Sequence, residues 1–277
     1  PGVLLLSDVK RAGKPILKNS SASLWDIGDG VACLEFHSKM NAIDPDILSM
    51  IAKSAETVGK SYKALVLHNE GSNFSVGVNL GLALFAINLA AWPMMEDMVK
   101  QGQDALKALK FAPFPVVGAP SGMALGGGCE IACCCDFRIG TPTARIGITQ
   151  GRVGIGGHYG TILLPRYLPF GIALQQMFTG IPLSAEECER WGLINKIVSH
   201  KELIPYCKKL AEDILMCAPL SVARQKHNAY KADRLPIPYA FDINAGPNVY
   251  GPEGTADRSE GARAFAEKRK PVWTGKV

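Results

Sequence analysis

A single carboxylate follows three consecutive glycines near the middle of the chain. The stretch GMALGGGCEIACCCDFRIG runs from residue 122 to 140 and carries Glu130 two positions after the glycine run. Glycine has no Cβ, so such a run lets the backbone approach a ligand closely and turn sharply before a helix. A helix that begins near Gly128 points free N–H groups at an anion, or at an oxygen that becomes negative during a reaction. The spacing indicates acid/base chemistry beside a site that stabilises negative charge.

This segment alone is equally consistent with a structural role for Glu130. A carboxylate in the first turn of a helix is favoured by the helix dipole, whatever its function. A second segment, NFSVGVNL at residues 73–80, follows an apolar run and places Gly77 where a strand ends. By itself this segment indicates an ordinary glycine turn.

Hydrophobic periodicity predicts the elements that position these segments. Alternating runs around Gly28-Asp29-Gly30 predict a β-hairpin, and Asp44 followed by Pro45 predicts a helix start. Ser184 and Glu187 stand in capping-box register, before a helix that stops at Gly192. Further strands are predicted at residues 63–69, 113–120, 137–140 and 144–148, a helix at 94–112 with Met95, Val99, Leu106 and Leu109 in its apolar stripe, and helices from about Lys201 onward. Strand-rich units followed by helices predict an α/β fold.

Composition excludes several classes of protein. The chain has 277 residues, of which 47% are hydrophobic, and none of its apolar runs approaches the roughly 18 residues that cross a bilayer. The net charge of +5 is scattered, which suits a phosphorylated small ligand better than a nucleic acid. The eight cysteines show no zinc-ligand spacing and are interpreted as buried apolar residues. We expect a cytoplasmic protein with no metal, no membrane anchor and no nucleic-acid partner.

Five segments in order resemble the crotonase (enoyl-CoA hydratase/isomerase) superfamily, from about Ser23 to Val277. They are KMNAID at 39–44, FSVGVNL at 74–80, SGMALGGGCEIACCCDFRI at 121–139, TGIPLSAEECERWGLINKIV at 179–198 and EGARAFAEKRKPVWTGK at 260–276. Each segment is weak evidence alone, but the ordered set is specific. The resemblance implies a spiral of ββα units with a C-terminal helical trimerisation segment, assembled as a homotrimer or a dimer of trimers. The corresponding divisions are an N-terminal arm or linker at 1–21, a spiral core at 22–200 and a helical segment at 201–277.

The same resemblance implies an acyl-CoA thioester as substrate, with coenzyme A as part of the substrate and no separate cofactor. The thioester oxygen is expected in an oxyanion hole formed by the backbone N–H groups of Val78 and Gly127, beside the acid/base Glu130. Coenzyme A contacts are expected at Asn41, Ala42, Ser75, Val76, Lys268 and Lys270, the two lysines alternatively being solvated charges or reaching the ligand across a subunit boundary.

The chain departs from the family pattern after Glu130. Hydratases of the family use a second carboxylate, and the aligned position here is Gln150. An amide orients water but exchanges no proton at neutral pH. The nearby GIGGHYG, residues 154–160, lacks the usual proline and places His158 and Tyr159 by the expected acyl pocket, where either is a candidate acid or base or a residue that merely packs.

Three functions remain open at this stage. The first is an enoyl-CoA hydratase or isomerase, most simply in fatty-acid β-oxidation, and the second is an acyl-CoA hydrolase in which Gln150 or His158 places water. The third is a crotonase-like module that has lost catalysis and serves in binding or assembly. Residues 1–21 and parts of the segments quoted above also resemble crotonase modules that are fused to 3-hydroxyacyl-CoA dehydrogenases. Such a dehydrogenase is therefore a candidate fused or partner domain.

Overall fold

The computed structural model describes residues 5–157, 159–242 and 255–275. Its strands are β1 (Leu17–Lys18), β2 (Ala22–Asp26), β3 (Val31–Phe36), β4 (Ala64–Leu67), β5 (Asn73–Ser75), β6 (Val116–Gly118), β7 (Met123–Leu125), β8 (Phe137–Gly140), β9 (Arg145–Gly147), β10 (Leu183–Ser184) and β11 (Lys196–Ile197). Its α-helices are α1 (Leu6–Ala12), α2 (Pro45–Ser61), α3 (Leu80–Asn88), α4 (Trp92–Lys110), α5 (Gly127–Cys134), α6 (Tyr159–Tyr167), α7 (Phe170–Thr179), α8 (Ala185–Arg190), α9 (Leu203–Leu215), α10 (Pro219–Ala232), α11 (Ile237–Asp242) and α12 (Ala256–Ala266). Short 3₁₀ turns lie at Lys39–Asn41 and Gln150–Val153.

The strands of each successive unit are divided between two sheets. The larger sheet has the order β1-β2-β3-β4-β6-β8-β11, and it is parallel from β3 onward. The smaller sheet has the order β10-β9-β7-β5, in which β5, β7 and β9 run parallel. The pairs β4/β5, β6/β7 and β8/β9 each send one strand to each sheet and are followed by helices. The predicted α/β fold with a spiral of ββα units is confirmed.

Strand alternation divides the apolar residues between two cores. Ala32 and Leu34 of β3 face a large core shared with the smaller sheet, α2 and α5. Val31 and Cys33 face the opposite side of the sheet, where Leu203 and Cys207 of α9 cover them. Successive side chains on a strand point to opposite faces, so a sheet with apolar residues at every position is one that is covered on both faces.

The predicted caps and turns form as expected. The carboxylate of Asp44 accepts a hydrogen bond from the Ile47 N–H at 2.8 Å at the start of α2. Both halves of the capping box are present between Ser184 and Glu187 in α8. The hairpin between β2 and β3 turns through residues 28–30, all three with positive φ. Local capping chemistry therefore fixes where these elements begin.

Two segments outside the expected core boundaries pack on the core. In the predicted N-terminal arm, α1 buries Leu6, and Lys10 forms ion pairs with Glu35 and Glu70. Just beyond residue 201, α9 contributes buried side chains to the second core. The boundaries at residues 21 and 201 stay predictions, but neither marks a break in packing.

The remaining composition-based expectations concern cysteines and membranes. Seven of the eight cysteines are buried free thiols, and Cys217 is the exposed exception. Within the described ranges, the helices are too short or too polar to cross a bilayer.

Candidate active site

The candidate site lies where two parallel strands of the smaller sheet end. Strands β5 and β7 are neighbours, so the residues that follow them meet at one edge of that sheet. Gly77 after β5 approaches the backbone after β7 so closely that a Cβ there would lie 3.2 Å from the Gly127 nitrogen. The two segments singled out in the sequence are therefore in direct contact.

The glycine run is required by backbone geometry. Gly126 precedes α5 with φ 54° and ψ −119°, a conformation that side chains other than glycine strongly disfavour. Gly128 packs against β5, where an added Cβ would lie 2.3 Å from the carbonyl oxygen of Ser75. The predicted helix start near Gly128 is confirmed, one residue earlier at Gly127.

Two backbone N–H groups at this edge have no hydrogen-bond acceptor in the described part of the chain. Gly127 is the first residue of α5, so no preceding turn accepts its N–H. On the facing loop, the Ile43 N–H donates to Gly77 and its carbonyl accepts from Asn79, at 2.8 and 3.0 Å. This parallel bridge leaves Val78, between them, with its N–H directed away from Ile43. Two donors are thus preorganised on adjacent loops, as an oxyanion hole requires.

Glu130 lies in the first turn of α5, and only 7% of it is exposed. Its Oε1 accepts a hydrogen bond of 3.0 Å from the backbone N–H of Gly160, near the start of α6. The carboxylate is therefore fixed between the first turns of two helices. A buried, oriented carboxylate of this kind is the common form of a catalytic acid/base.

Gln150 contacts Glu130 directly. Its Nε2 lies 3.4 Å from Glu130 Oε1, at the long end of the hydrogen-bond range. Its Oε1 is buried and accepts no hydrogen bond from the described residues. Buried polar atoms normally have partners, so this oxygen is a place for a water molecule to donate.

An apolar cavity of about 160 Å³ lies beside the two candidate donors and Glu130. Val78, Gly127, Glu130 and Tyr159 line its polar end. The opposite wall belongs to α2 and α4 and consists mainly of apolar side chains, among them Leu48, Met95, Met98, Val99 and Leu106. The cavity thus offers an apolar volume for an acyl chain beside the candidate donors and Glu130; we call it the acyl cavity.

Part of the predicted apolar stripe on α4 faces the acyl cavity and not the core. Leu106 and Leu109 are buried in the core as predicted, but Val99 is 41% exposed and Met95 is only half-buried. Both line the acyl cavity. An apolar stripe looks the same in sequence whether it faces a core or a ligand.

Tyr159, one of the two alternative acid/base candidates, lines the acyl cavity. Burial, and then the charge of Glu130, raise the pKa of its phenol, so the group is a proton-bearing donor at neutral pH. His158 lies outside the described residues. The suggested catalytic role of either residue stays a prediction.

The expected coenzyme A residues on the first two loops lie together. The Asn41 side chain donates to the Asn73 carbonyl at 2.8 Å, and Ser75 Oγ donates to the Asn41 carbonyl at 2.7 Å. Ala42 and Val76 are half-buried beside them. The side chains of Asn41 and Ser75 are thus engaged within the protein, which leaves the backbone as the ligand-facing part.

Lys268 and Lys270 are not brought to this place within one chain. Both are exposed after α12, and neither lines the acyl cavity. The adjoining Trp273 Nε1 instead donates to the Met216 carbonyl at the end of α9.

The sequence interpretation missed Gly160, whose N–H fixes Glu130. A Cβ at Gly160 would lie 2.0 Å from Ile148 Cδ1 and 3.4 Å from Glu130 Cγ, so glycine is needed for close packing. The glycine-rich GIGGHYG run was the available signal, since it opens α6. No cluster of three or more potential metal ligands occurs among residues 5–157, 159–242 and 255–275.

Comparison with known proteins identifies relatives along nearly the whole chain. The sequence profile of the family described as enoyl-CoA hydratase/isomerase matches residues 26–276. A crotonyl-CoA hydratase from Syntrophomonas wolfei is 36% identical over 244 residues, which cover 86% of this chain and 91% of that protein. A probable 3-hydroxyacyl-CoA dehydrogenase from Bacillus subtilis is 42% identical over 151 residues, 54% of this chain but only 19% of that protein. The crystal structure of an enoyl-CoA hydratase from Bacillus anthracis superposes with a TM-score of 0.84 at 25% identity, covering 93% of this chain and 100% of that one.

Proposed function

Because this chain belongs to the enoyl-CoA hydratase/isomerase family, we propose that it hydrates 2-enoyl-CoA thioesters with Glu130 as its single acid/base group. The observation that carries this proposal is that one apolar cavity is lined by a buried carboxylate and by two residues, Val78 and Gly127, whose backbone N–H groups have no acceptor among the described residues. The relative from Syntrophomonas wolfei is named a crotonyl-CoA hydratase, which supports an enoyl-CoA as the substrate class. Coenzyme A enters as part of the substrate, and no separate cofactor takes part.

The thioester oxygen accepts hydrogen bonds from the N–H groups of Val78 and Gly127. As negative charge develops on that oxygen, preorganised donors of this kind each contribute about 3 kcal/mol to transition-state stabilisation. The positive end of the α5 dipole adds to the same effect. The donors thereby stabilise the enolate more than the ground-state thioester, which is the condition for catalysis.

One glutamate suffices for the proton balance of hydration. The Glu130 carboxylate takes a proton from water while the water oxygen bonds to C3 and the double-bond electrons move toward the thioester. The resulting enolate then takes that same proton from Glu130 at C2. The carboxylate is regenerated, and the net change is addition of one water.

Gln150 positions the water in this scheme. Its Oε1, which accepts no hydrogen bond from the described residues, accepts one from the water, and its Nε2 donates to Glu130 Oε1. The amide remains neutral throughout and transfers no proton. Orientation without proton transfer accounts for a glutamine where a second carboxylate is usual.

Thioester hydrolysis is the second candidate, and Gln150 is the observation that favours it. The same water directed at C1 instead of C3 releases free coenzyme A, and this reaction needs no second acid near C2. Incubation with crotonyl-CoA and a panel of saturated and 3-enoyl thioesters, followed by mass spectrometry, separates hydration, isomerisation and release of coenzyme A. We expect the mass gain of one water on crotonyl-CoA; release of coenzyme A without that gain would replace hydration by hydrolysis.

We further propose a role in β-oxidation, next to a 3-hydroxyacyl-CoA dehydrogenase. The product of hydration is a 3-hydroxyacyl-CoA, the compound class named in the Bacillus subtilis relative. A fused or partner dehydrogenase would consume this product directly. Coupled NADH formation from crotonyl-CoA in the presence of such a dehydrogenase tests the sequence of reactions.

Assembly into trimers or pairs of trimers completes the proposal. Lys268 and Lys270 are exposed and do not line the acyl cavity of their own chain, and we propose that they contact the coenzyme A phosphates of a neighbouring subunit. Light scattering after size-exclusion chromatography reports the oligomeric state. A double Lys268→Ala, Lys270→Ala variant should bind acyl-CoA more weakly but bind acyl-pantetheine equally well.

A further inference from the structure

A second cavity adjoins the acyl cavity and is larger, at about 500 Å³. Leu106 of α4 and Tyr159 of α6 line both cavities, so these two side chains form the shared wall. The second cavity extends toward α10 and contains Lys110 and Tyr230. We call it the Lys110 cavity.

The two cavities follow one another along α4 and α5. Glu130 faces the acyl cavity and Cys134, one helical turn later, faces the Lys110 cavity. On α4, Leu106 and Lys110 are likewise one turn apart. The seven residue-to-residue steps from Gly127 to Cys134 correspond to about 10 Å along the helix axis. The Lys110 cavity thus lies beyond the acyl cavity in this direction, and an acyl chain that reaches it from the Gly127 donor has to pass the shared wall of Leu106 and Tyr159.

Lys110 is a largely buried ammonium without a carboxylate partner in the described residues. Its Nζ donates to the Tyr167 hydroxyl at 2.6 Å and lies 4.0 Å from the centre of the Tyr230 ring. Burial lowers the pKa of Lys110 below its ordinary value. Its neighbour Lys226 is also buried but forms an ion pair of 2.7 Å with Asp136. An ammonium with three donors and one neutral acceptor has unmet capacity for an anion.

Of the other charged groups around this cavity, Lys107 is exposed to solvent, and the rest are paired with protein groups. Asp136 accepts from Lys226 and from the Tyr230 hydroxyl, both at 2.7 Å. Asp233 at the rim is paired with Arg166 at 2.9 Å. Arg138 stacks on the Tyr167 ring and donates to backbone carbonyls. Lys110 is thus a largely buried cation at this cavity that has no carboxylate partner among the described residues, whereas Lys107 is solvated.

We propose that the Lys110 cavity binds a carboxylate at the far end of the acyl chain, so that the protein prefers ω-carboxyacyl-CoA thioesters to methyl-ended ones of the same length. This inference rests on the proposed function for the position of the thioester at Val78 and Gly127. A buried carboxylate without a partner costs free energy, whereas one that meets a preformed ammonium regains it through a charge-assisted hydrogen bond. The preference is greatest at the chain length that places the carboxylate on Lys110 Nζ.

Binding and turnover are measured with matched series of CoA thioesters that end in a methyl group or in a carboxylate. Calorimetric titration with the saturated thioesters gives affinity, and the 2-enoyl thioesters give kcat/KM for hydration. At the optimal length, the carboxylate-ended thioester should bind the unmodified protein on the order of ten- to hundred-fold more tightly. Lys110→Met should abolish this preference while leaving the affinity for the methyl-ended thioester unchanged or improved. Lys110→Arg should retain most of it.

Lys100→Met is the matched control, since Lys100 is on the same helix but exposed, and lines neither cavity. This variant should change neither the affinity nor kcat/KM for either series of thioesters. Thermal melting of all three variants verifies that they fold. Equal affinity of the unmodified protein for both series at every length would overturn the inference, as would an equal loss of both in Lys110→Met. If crotonyl-CoA is hydrated but carboxylate-ended thioesters are not preferred to methyl-ended ones, only the Lys110 site is refuted. If carboxylate-ended thioesters bind more tightly but no hydration occurs, only the proposed reaction is refuted.

Discussion

Gln150→Glu places a second carboxylate beside Glu130, and the distance between the two side chains gives the size of the repulsion between their charges. The two side chains lie 3.4 Å apart, and two like charges at that distance repel by roughly 5 kcal/mol at an effective dielectric constant of about 20. One of the two carboxyl groups therefore retains a proton at neutral pH, and the upper apparent pKa of the pair rises well above that of an ordinary carboxyl. The variant gains a general acid that the unmodified chain lacks.

Hydration of crotonyl-CoA by this variant should rise on the order of ten- to hundred-fold at mildly acidic pH, because a positioned general acid contributes about 10²- to 10⁴-fold where it is fully effective. The gain should decline as pH rises, when the pair loses its shared proton. The free energy of unfolding should change with pH in the same direction as the gain in rate. The folded variant binds more protons than the unfolded variant, so its free energy of unfolding should fall with rising pH relative to the unmodified protein.

The assay is the loss of absorbance of the conjugated thioester across pH, with urea unfolding at acidic and alkaline pH. Gln175→Glu on the exposed side of α7 adds the same charge away from the site and should change neither measurement. A hydration rate in Gln150→Glu that equals that of the unmodified protein at every pH would refute the assignment of Gln150 as the substituted acid.

Other predictions concern the glycines and a buried histidine. Gly128→Ala should destabilise the fold by about 1–3 kcal/mol in urea unfolding, because the new Cβ would collide with the Ser75 carbonyl at 2.3 Å. Gly171→Ala in α7, which meets no atom within 4 Å, should be neutral or slightly stabilising, and equal losses in both variants would contradict the packing argument. Burial lowers the pKa of His68 from 6.5 to about 4, so the unfolded chain binds its proton first as pH falls. Stability should therefore be complete above about pH 6.5 and decline by up to roughly 3 kcal/mol toward pH 4, and His68→Gln should flatten that decline; an unchanged pH dependence would show that other groups cause it.

Local signals predicted most of the elements in advance. The cap at Asp44, the capping box at Ser184 and the turn at residues 28–30 each depend on neighbours within a few positions, and each forms as expected. In the small sheet β9 was predicted, at residues 144–148, but the pairing of β5, β7 and β9 was not, since these strands have three residues each and acquire their partners from distant parts of the chain. The helix α3 was also missed, because nearly every residue in it is apolar and no periodicity distinguishes its buried face.

In the candidate site too, local sequence signals predicted some residues, and others depend on packing between distant elements. The glycine run and Glu130 could be recognised because their local spacing has a physical meaning at a helix start. The Gly160 donor, the α4 wall and the Lys110 cavity could not, since each arises from the packing of α4, α5 and α6 against one another. Sequence therefore predicted the residues proposed to act on the thioester better than the residues proposed to hold the acyl chain.

The most direct test of the central claim is Glu130→Gln, assayed with crotonyl-CoA. The amide oxygen can still accept the Gly160 N–H, so the fold and the cavity should persist, and saturated acyl-CoA should bind with unchanged affinity. We predict that hydration falls by at least about 100-fold, because the variant can neither take a proton from water nor return one to C2. Turnover equal to that of the unmodified protein, with acyl-CoA affinity intact, would contradict the assignment of Glu130 as the acid/base group.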